Sequence, residues 1–216
     1  MKHGIISKAG LIICDPIPYS ADRFHDIINR HGGNPAAIPD KAPQGLVDCG
    51  PLQILPSAEI NTPAPNKHAY QQRFTAWAVV GDKLQRETEW HLLPDDQIRQ
   101  NLLGALAEIR WQYETAGMTV GDVTVKTDRE SRGLIFDSYN SLKDGFVSTG
   151  RFKFADGNWQ TVTAEQMKVV AAAVAQRTDA AFRAEEAVGL IINDATDIAA
   201  LLAIDLKAAF DAALTP

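Results

Sequence analysis

The sequence predicts an α+β protein: a proline-rich, extended N-terminal region with β-hairpins, then a mostly helical C-terminal domain with small hairpins and a long C-terminal helical hairpin. Three observations carry this. Nine of the eleven prolines lie within residues 1–65, where they forbid a long helix. Glycine-containing turns between short β-favouring runs recur from Phe74 to Val162. Seventeen of the last 54 residues are alanine and no proline precedes Pro216 there, so that stretch forms helix almost throughout. The chain divides into a proline-rich attachment module with a β-hairpin, residues 1–93, and a helix-rich domain, residues 94–216. Charge follows the same division: acidic and basic residues balance at 9 each through Pro94, and the net −6 comes from 18 against 12 beyond it.

In the first part, Ile5-Ile6 and Leu11–Ile13 read as short strands. Ser20 is placed to cap a helix from Ala21 to His31, with Phe24, Ile27 and Ile28 on one face and Gly32-Gly33 as its stop. The prolines at 35, 39, 43, 51, 56, 63 and 65 disfavour a central strand, so residues 34–65 are expected to lie extended on other structure, with a short edge strand within Gln44–Leu55. From Phe74 to Val80 apolar and other residues alternate; Gly81-Asp82 then turns the chain into Leu84–Leu92, which predicts a hairpin.

In the second part, Pro94 with Asp95 and Asp96 opens an amphipathic helix through Ile98, Leu102, Ala105, Leu106, Ile109 and Tyr113, stopped by Gly117. Gly121-Asp122 joins two β-favouring triplets into a small hairpin. Thr127 to Glu130 fits a capping box, opening a helix with Leu134, Ile135, Tyr139 and Leu142 inward and Gly145 at its end. Phe152–Phe154 and Trp159–Val162 predict a third hairpin. Thr163 and Gln166 repeat the capping pattern before a helix to about Asn193, on the order of 45 Å long at 1.5 Å per residue. Thr196 is then placed to cap a final helix carrying Ile198, Leu201, Leu202, Ile204 and Leu206.

Several function classes are disfavoured. An acidic chain without a lysine or arginine cluster lacks the electrostatic footprint for nucleic acid. No run of about eighteen apolar residues occurs, so no membrane span is expected. Gly10–Cys14 is too short an apolar run for a signal peptide, which predicts synthesis in a cytoplasm. Cys14 and Cys49 lack a metal-ligand spacing and read as neutral thiols.

Phosphate-binding, nucleophile-elbow and zinc-helix motifs are all missing from the sequence, and His3, His25, His31, His68 and His91 are scattered. No catalytic, cofactor-binding or metal-binding residue is assigned, and no cofactor is expected. The sharpest polar cluster, Asp128, Arg129, Glu130, Ser131 and Arg132, admits a reading as acid/base carboxylates with Arg132 as an anion clamp. Capping accounts for most of it, with Arg132 tying a hairpin strand or a nearby carbonyl. Trp77, Trp90, Trp111 and Trp159 admit sugar stacking but read first as packing residues. Met167, Val170, Val174, Ala181 and Val188 could form a coiled-coil seam or, equally, one side of a helical hairpin.

Four features occur in order: a helix ending Tyr113-Glu114-Thr115-Ala116-Gly117; the run Thr127 to Arg132; Phe154-Ala155-Asp156-Gly157 before Trp159; and Thr163-Ala164-Glu165 opening an alanine-rich helix. On these, residues of about 99–206 resemble a domain of unknown function found in bacteriophage tail proteins of the tail-fibre and baseplate type. The resemblance implies a virion component located in the tail, made in the host cytoplasm. It implies a non-enzymatic structural or adaptor protein whose partners are other tail proteins, with a homotrimer allowed by tail symmetry. The alternatives are a tail-fibre assembly chaperone not retained in the virion, and a glycan-binding or glycan-cleaving tail protein using the tryptophans with Asp128 and Glu130.

Overall fold

The computed structural model describes residues 1–215 and has an α+β fold. The chain forms two compact units, Met1–Leu92 and the remainder from Leu93.

The first unit is built on a seven-stranded sheet. Its strands are β1 (Lys2–Ser7), β2 (Ile12–Pro18), β3 (Val47–Cys49), β4 (Leu52–Ile60), β5 (Tyr70–Phe74), β6 (Ala78–Val80) and β7 (Lys83–Leu92), with helix α1 (Ala21–Arg30) after β2. The main path runs β2-β1-β4-β7-β5, with β3 added to β4 and β6 to β7. All pairings are antiparallel except β4 with β7. Phe24 and Ile28 of α1 are buried against Ile5, Leu52, Ile54 and Cys49.

The proline-rich stretch departs from expectation here. The short edge strand is present as β3, but β4, with Pro56 inside it, is an internal strand. Pro56 pairs with His3 of β1, and the next residue, Ser57, begins the pairing to β7. The missing N–H therefore falls where the strand changes partners. Ser20 takes the N-cap position of α1 without a side-chain hydrogen bond, whereas Gly32, at φ 75°, ends the helix as expected. The alternating run from Phe74 to Val80 is also not one strand. Phe74 faces Thr88 and Ala78 faces Gln85, so one strand carries an extra residue, and Thr75–Trp77 bulges between β5 and β6. Arg86 fills that region, its guanidinium 4.1 Å from the Phe74 ring centre and 4.6 Å from that of Trp77.

The second unit contains α2 (Asp95–Thr115), β8 (Met118–Val120), β9 (Val123–Val125), α3 (Arg129–Lys143), β10 (Gly150–Lys153), β11 (Trp159–Val162), α4 (Ala164–Asp194), α5 (Ile198–Leu202) and α6 (Leu206–Leu214). Among the described residues β8 pairs only with β9, and β10 only with β11. The capping box opening α4 is complete: Thr163 Oγ1 accepts the Gln166 amide and Gln166 Oε1 accepts the Thr163 amide. α4 packs against α2, α3 and α6. Met167, Val170 and Val174 share a core with Val125, Ile135 and Phe154, so the alanine-rich seam is used within the chain.

Two elements differ from expectation. The final helix is two helices, because Asp197 and Asp205, not Thr196, accept the amides of Ala200 and Ala208 at 2.8 and 3.0 Å. A carboxylate at a helix start gains from the dipole as well as the hydrogen bond, so Asp205 starts a new helix inside the expected one. Leu134 is 55% exposed, while Ile135 and Leu142 of α3 are buried.

Candidate functional site

The strongest concentration of interacting charge in the second unit lies where the end of α2, the start of α3 and the middle of α4 meet. Buried Ile98, Leu102 and Leu106 recur every four residues on α2, and the same spacing leads to Arg110 and Glu114. Glu114 is 2% exposed. Its Oε1 accepts Arg132 Nη1 at 2.9 Å, and its Oε2 accepts Arg110 Nη1. Arg110 Nε also lies 2.8 Å from Glu185 Oε2 on α4, and its guanidinium stands over the Phe182 ring. Arg132 donates further to Thr178 Oγ1 on α4 at 3.2 Å. A buried carboxylate held by two guanidinium groups is stable only as a complete set, because removing one partner strands the others in a poorly solvated site.

The residues singled out in the sequence take other roles. Thr127 is buried, and it is not the cap of α3. Its hydroxyl donates to the Glu114 carbonyl and accepts the Gly117 amide at 3.0 Å, joining the end of α2 to the residue before the cap of α3. Asp128 is the cap. Its Oδ1 accepts the Ser131 amide at 2.9 Å and its Oδ2 accepts the Ser131 hydroxyl at 2.8 Å. Those two bonds, the amide first, hold the Asp128 carboxyl below its ordinary value. A general acid at neutral pH needs the opposite shift. Glu130 is exposed and forms no capping box. Among the described residues Arg132 ties neither a strand nor a carbonyl; its partners are Thr178 and Glu114, and the carboxylate is the one sequence reasoning missed. The available signal was the four-residue spacing from Ile98.

Two more arginines grip helix ends. Arg99 on α2 donates to the carbonyls of Ile192, Asn193 and Ala195 at the end of α4. Arg177 donates to the Tyr113 carbonyl at 2.7 Å while stacking 3.9 Å from the centre of that residue's ring. Carbonyls at a helix C-terminus lack intrahelical donors, and a planar guanidinium can satisfy more than one.

The tryptophans are separated. Trp77 lies against Arg86, and Trp90 Nε1 donates to Thr62 Oγ1 at 3.2 Å, both within the first unit. In the second, Trp111 lies beneath Arg129, and Trp159, 58% exposed, lies beside Lys153. Cys14 and Cys49 are free thiols that burial pushes above the ordinary value. Among the described residues no group of three or more His, Cys, Asp or Glu is placed to hold a metal ion, and no helix is long and apolar enough to cross a membrane.

No curated protein and no solved structure matches the chain. The family described as a domain of unknown function, DUF4376, matches residues 97–213, a range that runs from the first turn of α2 into α6 and holds the whole Glu114 network, and the chain belongs to that family.

Proposed function

We propose that the chain is a structural or adaptor component of a bacteriophage tail, associated with the baseplate or a tail fibre, which acts by binding other tail proteins. The observation that carries this reading is the ordered set of motifs from Tyr113 to Glu165 and its resemblance to tail-associated domains. The roles of those residues support a scaffold: Thr127 and Arg132 join α2, α3 and α4, Asp128 caps α3, and Thr163 caps α4. Phe146, 81% exposed, and Val147, 46% exposed, follow α3 and supply apolar surface of the kind used in protein contacts. Mass spectrometry of purified virions of the encoding phage tests the reading. The chain is expected among the virion proteins, as a homotrimer or in fixed ratio to a tail protein. Presence in lysates with absence from virions would replace this reading with that of an assembly chaperone.

A further inference from the structure

The second unit holds an open strand position. In the β10–β11 hairpin the Phe154 amide bonds to the Asn158 carbonyl, which makes 154, 152 and 150 the hydrogen-bonded positions of that ladder. The backbone groups of Arg151 and Lys153 consequently point away from β11, as does the amide of Ala155. Ala155 donates to the Thr124 carbonyl of β9 at 2.9 Å. From that single bond the chain runs on through Val125 and Lys126 on one side and back through Phe154, Lys153 and Phe152 on the other. These two segments border a cavity of about 380 Å³ floored by Ser131, Leu134 and Ile135 of α3. Among the described residues the outward backbone groups of Arg151 and Lys153 have no hydrogen-bond partner.

We propose that this cavity is a strand-addition site that takes an extended peptide segment of a partner protein, with apolar and acidic residues in alternation. The segment pairs with β10 through the free groups of Arg151 and Lys153. Its inward residues lie beside Phe152 and over Leu134, which is half exposed without it. Its outward residues lie beside Arg151 and Lys153, with Lys126 across the cavity, and none of these three cations has an ion-pair partner among the described residues. Opposite charges across neighbouring strands stabilise a pair and like charges destabilise it. That selects an acidic segment and disfavours a second copy of this chain, whose β10 would set Arg151 and Lys153 against the same residues. Main-chain bonds supply affinity and the alternating side chains supply specificity. The inference stands on the second unit's own geometry and not on a place in a phage tail.

The test uses the full chain and a labelled, capped peptide of about eight residues alternating valine and glutamate, long enough to span a typical strand. Binding measured by fluorescence polarisation is expected, together with slowed amide exchange at Arg151 and Lys153. A valine–lysine peptide should bind at least about tenfold more weakly, as should the valine–glutamate peptide to the Lys126→Glu/Lys153→Glu variant. Lys153→Pro removes an amide that the hairpin does not use, so it should leave thermal unfolding unchanged and abolish binding. N-methylation of alternate peptide amides makes the same test without altering the protein. Equal binding of both peptides, survival of binding with Lys153→Pro and with the methylated peptides, no binding of the glutamate peptide, or self-association of the chain lost with Lys153→Pro would each overturn the proposal.

Discussion

Glu114 of α2 and Arg132 of α3 meet at 2.9 Å, the carboxylate 2% exposed and the guanidinium side chain 16% exposed. The pair ties the end of α2 to the start of α3, the two helices that flank the β8–β9 hairpin in the chain. Arg110 shares the carboxylate from one helical turn earlier. Glu114→Ala should therefore cost about 3–5 kcal/mol, the range for breaking a buried ion pair from one side. Glu114→Leu combined with Arg132→Met should recover more than half of that loss, since Arg110 keeps Glu185. Urea unfolding of the single and double variants measures both, and equal losses would refute the coupling.

Thr127 stands next to that pair, and its single hydroxyl serves a carbonyl and an amide. Thr127→Val keeps the shape and strands both backbone groups, for an expected loss of about 2–6 kcal/mol at one to three per unpaired group. Thr127→Ser keeps the hydroxyl and should lose less than half as much. The comparison separates hydrogen bonding from packing in one denaturation series.

The cap of α3 gives a pH prediction. The folded carboxyl of Asp128 is held below its ordinary value of 3.8, so its contribution to stability is complete above that value and disappears as the pH falls through the lower folded one. Asp128→Asn still accepts the Ser131 amide but carries no charge. Its melting temperature should lie below that of the parent at neutral pH, and the two curves should converge in acid. A constant gap across the titration would show that charge plays no part in the cap.

Arg99 covers three carbonyls at the end of α4 with one planar group. Arg99→Lys retains the charge but not the fork. Amide exchange at the last turn of α4 and through 195–198 should accelerate in this variant, with exchange in the middle of α4 unchanged. Unaltered exchange at 192–198 would show that the carbonyls are satisfied without Arg99.

In the first unit, Gly4 is fixed by close approach. A Cβ there would lie 2.2 Å from Leu84 Cδ1 and 2.9 Å from the Cys14 carbonyl oxygen. The leucine end can move, but the strand carbonyl cannot without disturbing the β1–β2 ladder. Gly4→Ala should destabilise the first unit by about 1–3 kcal/mol, read from Trp77 and Trp90 fluorescence in urea. Gly10→Ala is a useful contrast: nothing lies within 4 Å of its Cβ, and its penalty comes from φ 84° alone.

What the residues alone determined was local. Gly121-Asp122 joins β8 to β9, Thr163 and Gln166 open α4, Gly117 stops α2, and the alanine-rich run forms one helix of 31 residues. Each depends on residues within a turn or two of chain, where backbone preference and side-chain capping act directly. The tertiary structure decided what depends on distant residues. β4 became internal because β1 and β7 supply its two ladders around Pro56, against what proline content by itself suggests. Asp205 broke the final helix because a strong cap outweighed a continuous apolar period. Arg132 and Glu114 are 18 residues apart, and Arg99 and Ile192 are 93 apart, so no local pattern announces either contact. An apolar stripe is legible because every member points to one core. A buried charge becomes legible only when the fold brings the one partner that offsets its lost hydration.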